Sequence, residues 1–470
     1  VIEKRQRNVG FLVAGCFFME ILDSTIVSTS APRIGAALHV PSTSIGLLIT
    51  AYLITVAVII PLSGWMVSRF GTRKVFLSAI AIFTVASLLC ATSVSFGELV
   101  AMRVLQGIGG AMMVPVGRLT VLSGTAKADL MRLISYIVWP GLVAPVIAPL
   151  AGAFITTYAS WRWLFTINVP LGAVAFLVAV RLVPHLPRSV TPRLDWVGVA
   201  LTCTGLGGLT YAASQVSEPT IPWSATGIIA SISLVIIAGT AWHLLRAPNP
   251  LIDLRALHIK ALRTSLEGGS LSGMATNAMP FLVPLLFENA FGWSAVKAGG
   301  IVMVLFIGNI GIKPANRALL NRFGFRTVLT AANLGLAATA VCAGLLTRGT
   351  PVALIIIVLL VSGVTRSING TSYNTLSFSD VPQAEMAHAN SLASTVQQLS
   401  AGYGVAIATI GVRAGISFRA LLGHSTTFTS YTFAFFIIAV LPLVGAVQAS
   451  RLGPDVGDAA RTISTSAAPG

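Results

Sequence analysis

The chain has 470 residues, 55% of them hydrophobic and only 9% charged, with a mean hydropathy of +0.86. Soluble domains carry about 25% charged residues, so the composition excludes a soluble protein and implies an all-α integral membrane protein. The net charge of +16 comes from cations scattered among loops, not from one basic face, which argues against a nucleic-acid partner.

A bilayer-crossing helix needs about 20 mostly apolar residues. In chain order, such stretches lie near 8–30, 43–64, 75–96, 98–120, 132–155 and 164–183, then 196–216 and 225–246, then 264–288, 295–316, 327–347, 352–375, 388–412 and 428–450. That order is six, two, six: fourteen expected transmembrane helices. It divides the chain into an N-terminal six-helix bundle (1–183), a linker with two additional helices and a cytoplasmic loop (184–262), a C-terminal six-helix bundle (263–450) and a disordered cytoplasmic tail (451–470). The first stretch keeps Glu20 and Asp23 and lacks a small-residue cleavage site, so it reads as a retained span and not a signal peptide. With the N-terminus inside, 22 of the 30 Lys and Arg fall on inside segments and six outside. This bias puts both termini in the cytoplasm. The basic stretch 247–263 has an amphipathic character suited to the cytoplasmic membrane surface.

A basic turn occurs twice. Arg69-Phe70-Gly71-Thr72-Arg73-Lys74-Val75 follows the second span, and Arg322-Phe323-Gly324-Phe325-Arg326-Thr327-Val328 follows the second span of the last six, 253 positions later. A repeated turn in corresponding places indicates two related halves, an architecture typical of secondary transporters.

Few charges lie inside the spans, where each costs about 2.5–3.5 kcal/mol. Glu20 and Asp23, three residues apart, share one helical face, which Ser24 and Ser28 extend. The fourth span carries Arg103, followed by Gln106, Gly107, Gly109 and Gly110. Asp23 and Arg103 come out at matching depths, close enough for the arginine to favour the ionised carboxylate. In the second half, Glu267 lies about one turn inside its span and Lys313 near the inner end of another, within snorkelling reach of the surface. Arg366, near Asn369 and Asn374, either lines a substrate cavity or holds the fold. Pro140, Gly141, Pro145, Pro149 and Gly152 predict a bent fifth helix at a moving interface.

Cys16, Cys90, Cys203 and Cys342 lie inside apolar runs without metal spacing. The six histidines are dispersed, and no nucleophile–base pair stands out. A membrane enzyme, a sensor and a channel are therefore remote readings.

At these residues the chain resembles the major facilitator superfamily, specifically the fourteen-helix drug:proton antiporters of the EmrB and QacA type. The resemblance runs from about residue 8 to 450. It rests on Leu22-Asp23-Ser24-Thr25-Ile26-Val27 with Pro32, Gly64-Trp65-Met66-Val67-Ser68-Arg69-Phe70-Gly71-Thr72-Arg73-Lys74, and Arg103-Val104-Leu105-Gln106-Gly107-Ile108-Gly109-Gly110-Ala111. It rests too on Ala148-Pro149-Leu150-Ala151-Gly152 and on Ser160-Trp161-Arg162-Trp163-Leu164-Phe165 followed by Asn168-Val169-Pro170-Leu171-Gly172.

The resemblance implies a multi-pass protein of the cell (inner) membrane, not an enzyme, that exports lipophilic small molecules by alternating access. No cofactor is implied beyond the proton as coupling ion, and no partner beyond membrane lipids and substrate; a monomer is expected. Asp23, Glu20 and Arg103 would couple the proton. Gly64, Arg69, Gly71, Arg73, Lys74, Arg322, Gly324 and Arg326 would form the cytoplasmic gate. Pro145, Pro149 and Gly152 would carry the helix-five antiporter motif, and Ser24, Ser28, Gln106, Arg366, Asn369 and Asn374 would line the cavity. Four positions depart from the family pattern: Ser68 for an Asp, Ala148 and Ala151 for glycines, and Ser28 for a frequent Asn. The alternative keeps the fold with another cargo, a metabolite, lipid or siderophore, exported or taken up.

Overall fold

The computed structural model of the chain describes residues 4–29, 31–40, 45–123, 158–184, 193–216, 222–422 and 430–453, with isolated positions between 141 and 155 and at 456. Among these residues every regular element is a helix. A helix satisfies its own backbone N–H and C=O groups, which is what an apolar chain needs inside lipid.

The first set begins with α1 (Lys4–Thr29), short α2 (Ala31–Ala37) and α3 (Gly46–Ile59). A 3-10 turn at Ile60–Leu62 leads into α4 (Ser63–Phe70); Pro61 there has no N–H to continue an α-helical ladder. The set continues with α5 (Thr72–Thr92), α6 (Phe96–Ser123), short α7 (Trp163–Thr166) and α8 (Asn168–Leu182). Next come α9 (Trp196–Val216) and α10 (Trp223–Arg246). The last set holds α11 (Lys260–Leu285), α12 (Ala295–Gly311), α13 (Lys313–Gly344), α14 (Val352–Ser379), α15 (Met386–Leu422) and α16 (Ser430–Ser450).

Among the described residues, twelve helices are long and apolar enough to cross a membrane, and the shorter Lys297–Gly311 is also apolar. The expected fifth span lies largely outside the described residues, and with it Pro145, Pro149, Gly152 and the alanine departure at 148. The tail beyond residue 456 lies outside them too.

Lys313 follows the end of α12 at Gly311 and opens α13, in which helix continues to the Arg322-Phe323-Gly324 turn, ten residues on, or about 15 Å at 1.5 Å per residue. The basic 247–263 stretch is largely irregular. It holds one 3-10 turn, Leu254–His258, and Lys260 and Arg263 already belong to the first turn of α11.

The chain divides into two compact units. One comprises Val1–Tyr211, Gly227–Arg255 and Pro382–Thr395; the other comprises Ala212–Thr226, Ala256–Val381 and Val396–Gly470. Each contains one copy of the basic turn, and the two copies share a backbone conformation. Gly71 has φ 83° and ψ 145°, and Gly324 has φ 76° and ψ 163°. Side chains rarely tolerate this region, so glycine is required at both reversals.

Candidate functional site: a buried charge network

In the first unit, α1, α5, α6 and α8 converge on Asp23. Arg103 Nη1 donates to Asp23 Oδ2 at 2.6 Å, and both side chains are fully buried. Asp23 Oδ1 accepts from Gln106 Nε2 at 2.9 Å and from Asn168 Nδ2 at 2.8 Å. Gln106 also donates to Ser87 Oγ at 2.7 Å and accepts from Arg103 Nη1 at 2.7 Å. The guanidinium lies 4.4 Å from the Tyr52 ring centroid and 5.7 Å from that of Phe165. These aromatic faces attract the cation and keep water away.

Glycines let the helices approach closely enough to form this network. A Cβ on Gly109 would stand 2.6 Å from the Phe83 backbone nitrogen, and one on Gly107 would stand 2.9 Å from Thr55 Cβ. Helix α6 therefore packs directly on α5 and α3, and its Arg103–Gln106 turn reaches α1. Among the described residues, Arg103 Nε and Nη2, Tyr52 OH and Asn168 Oδ1 have no hydrogen-bond partner. The network is incompletely satisfied, which costs free energy in a dry site.

Glu20 takes no part in these bonds. It is half-buried, and its charge acts on Arg118 of α6. Ser24 is turned back on its own helix, donating to the Ile21 carbonyl at 3.0 Å. Ser28 lies in the last turn of α1. Gln106, assigned from sequence to a substrate cavity, is instead fully buried inside the ion-pair network.

At the basic turn of the first unit, Arg73 Nη1 donates to the Val183 carbonyl at 2.6 Å and Nη2 to that of Val180. Arg5 Nε donates to the Leu182 carbonyl at 3.2 Å. Two cations thus cap the carbonyl end of α8, where they also meet the negative pole of the helix dipole. Arg69, Lys74, Arg322 and Arg326 are exposed. Ser68, in place of an acid, donates to the Gly64 carbonyl of its own helix at 3.0 Å. Asp195 Oδ1 accepts from the Gly198 N–H at 2.8 Å and lies 2.9 Å from His243 Nε2, tying α9 to α10. Arg73→Ala is expected to lower stability by about 1 kcal/mol, the scale of a cation at a helix C-terminus. The melting midpoint in detergent would read this, with Arg73→Lys recovering part of the loss; an unchanged midpoint for Arg73→Ala would reject the capping role.

The second unit has a neutral counterpart. Asn333 Oδ1 accepts from Ser272 Oγ at 2.6 Å and Asn369 Nδ2 at 2.9 Å, and Asn333 Nδ2 donates to Tyr373 OH at 3.0 Å. Asn374 donates to the Gly370 carbonyl at 2.8 Å within its own helix. Glu267 is half of an exposed i,i+4 pair with Arg263 at 2.8 Å.

Sequence reasoning found Asp23, Arg103 and Gln106. It did not single out Ser87, Tyr52, Phe165 or Asn168 as partners. Asn168 stood inside a recognised motif, and its only signal was a lone polar residue at the start of an apolar run.

The sequence model of the Major Facilitator Superfamily matches residues 13–405. A protein of Serratia proteamaculans named "Putative multidrug resistance protein MdtD" is 34% identical over 445 residues, covering 95% of this chain and 93% of that protein. A protein of the same name from Cronobacter sakazakii is 36% identical over 409 residues, covering 85% and 84%. Among solved structures, the proton:xylose symporter XylE superposes with a TM-score of 0.66 at 14% identity, covering 96% of each chain. The human organic anion transporter MFSD10 does so with 0.68 at 14% identity, covering 95% of this chain and 100% of that one. At such identities the last two matches speak to the fold alone.

Proposed function

The chain belongs to the Major Facilitator Superfamily, and on that premise we propose that it exports lipophilic, drug-like small molecules in exchange for protons, with Asp23 as the proton-carrying group. It is a transporter and not an enzyme, a multi-pass protein of the inner membrane. The names of its relatives support a multidrug cargo. In this reading the chain crosses the bilayer fourteen times with both termini in the cytoplasm, two six-helix bundles alternate access, and the monomer is the working unit.

The observation that carries the proposal is the Asp23–Arg103 pair, buried at 2.6 Å inside a shell of amides. A proton arriving on Asp23 removes one charge of the pair and leaves Arg103 buried without a counter-ion. Breaking such a pair costs about 3–5 kcal/mol, and a shift of that size takes a two-state equilibrium most of the way from one side to the other. The unsatisfied Arg103 nitrogens raise the free energy of this arrangement and so reduce the energy needed to leave it for one that satisfies them. Proton binding can thus drive a conformational change without any cofactor. Arg73 and the other cations of the basic turns would fasten the cytoplasmic gate.

The test is transport in proteoliposomes under an imposed pH gradient. Asp23→Asn keeps the shape and the hydrogen-bonding reach of the side chain but cannot exchange a proton. It is expected to lose gradient-driven transport by at least about tenfold, the effect of a 1.4 kcal/mol coupling energy, while keeping passive exchange. Full gradient-driven transport by Asp23→Asn would reject the proton role.

A further inference from the structure

In the second unit two half-buried cations stand on adjoining helices, and among the described residues neither has an acid paired to it. Helices α12 and α14 run backbone to backbone: the Gly363 position faces the Leu305 carbonyl and the Asn309 nitrogen, and Gly308 faces the Leu360 carbonyl. This contact fixes the residues one turn further along. Arg366 is three residues past Gly363, and Lys313 is four past Asn309. Arg366 Nη1 donates to the Thr276 carbonyl of α11 at 2.8 Å, and its guanidinium lies 5.9 Å from the Phe306 ring centroid. Both cations are half-buried, each one turn beyond the α12–α14 contact and on the same side of it.

Among the described residues neither forms an ion pair; the three ion pairs involve Arg103, His243 and Arg263. The internal repeat sharpens the contrast. The turn glycines Gly71 and Gly324 are 253 positions apart, and Thr276 stands 253 positions after Asp23. In the first unit α6 offers Arg103 to an aspartate on the first helix. At the same offset the second unit has Ile356 and Thr276, so that ion pair is not repeated; Arg366, ten residues further along α14, instead reaches the Thr276 carbonyl of α11. Two like charges in a medium of low dielectric repel strongly, and an intramembrane cation normally has a counter-ion. Here the described part of the chain supplies none.

We propose that Arg366 and Lys313 form a carboxylate-binding site inside the second unit, and that the exported molecules include amphipathic monoanions whose carboxylate supplies the missing counter-charge. This rests on the exporter reading. The guanidinium suits a planar carboxylate, the ammonium adds a point charge, and Phe306 offers an apolar surface beside them. An anionic lipid headgroup has the same charge chemistry, so the test separates the two.

Equilibrium binding is measured without a gradient, in nanodiscs of neutral phosphatidylcholine, with 1-naphthylacetate and its uncharged isostere 1-naphthylacetamide. The wild type is expected to prefer the acetate by about tenfold, and Arg366→Gln or Lys313→Gln to reduce that preference severalfold. Arg366→Lys, which keeps the charge, is expected to retain part of it and guards against a folding defect in the glutamine variant. Equal binding of the two probes, or an unchanged preference in the double glutamine variant, overturns the site. If phosphatidylglycerol in the nanodiscs abolishes acetate binding by the wild type, the occupant is lipid and the substrate assignment is overturned. The exporter reading fails separately: it is lost if the wild type binds acetate selectively yet shows no pH-driven transport. Transport of the acetamide down a pH gradient, without acetate selectivity, rejects only the carboxylate site.

Discussion

Arg103→Leu is expected to be among the most damaging single changes in the protein, destabilising it by about 3–5 kcal/mol. The leucine can still pack on the Tyr52 and Phe165 rings, so the loss is not one of packing alone. It strands the Asp23 carboxylate, fully buried, with only the amide donors of Gln106 and Asn168. The stranded charge sets the magnitude, so removing it as well should restore much of the loss. Asp23→Asn in the Arg103→Leu background is therefore expected to be more stable than Arg103→Leu alone, a non-additivity of at least about 1 kcal/mol. Melting midpoints of the wild type, the two single variants and the double variant in one detergent give the coupling. Additive effects would mean that the pair contributes nothing specific. Neither variant that loses Asp23 should show pH-driven transport, whatever its stability.

Gly109→Ala should be the second large effect. Alanine is the better helix former by about 1 kcal/mol, so propensity alone predicts a gain. Contact predicts the reverse, because the new Cβ would stand 2.6 Å from the Phe83 nitrogen and 2.9 Å from its Cα. These are backbone atoms of α5 and cannot swing aside as the end of a side chain could. Forcing α5 and α6 apart costs about 1–3 kcal/mol, and the separation also pulls Gln106 from Ser87. Contact therefore wins, and the variant is expected to melt earlier and transport at a fraction of the wild-type rate. Gly15→Ala is the control, since that glycine lies inside α1 with nothing within 4 Å of the added carbon. It should be neutral or slightly stabilising. Equal melting of the two variants would show that close helix approach at Gly109 does not matter.

The residues that could be read from sequence share a physical property. Asp23, Arg103 and Arg366 are expensive in lipid, so a charge inside an apolar run marks itself without any structure. The basic turns were legible for a related reason: cations accumulate at one membrane face, and glycine was the residue that each reversal required. Beyond the Asp23–Arg103 pairing, which their matching depths pointed to, the partners of those charges were not legible. Ser87, Asn168 and Tyr52 are neutral residues of ordinary membrane composition, and nothing local distinguishes them from polar residues that bond to their own helix, as Ser24 does to Ile21. Gln106 was seen but misplaced, because spacing shows which helix face a residue shares and not what covers that face.

The sequence by itself determined that this protein is a bundle of membrane helices in two related halves, and which few residues carry charge into the bilayer. Length of apolar run, cost of charge and bias of cations are each properties of a segment against its solvent. Tertiary structure alone decided which amides and rings enclose the Asp23–Arg103 pair, that Arg366 reaches the Thr276 carbonyl, and that Arg73 caps α8. In lipid the interior and exterior faces of a helix are equally apolar, so periodicity does not reveal which helices touch. Pairing is set by close packing at glycines such as Gly109 and Gly363, between residues tens to hundreds of positions apart.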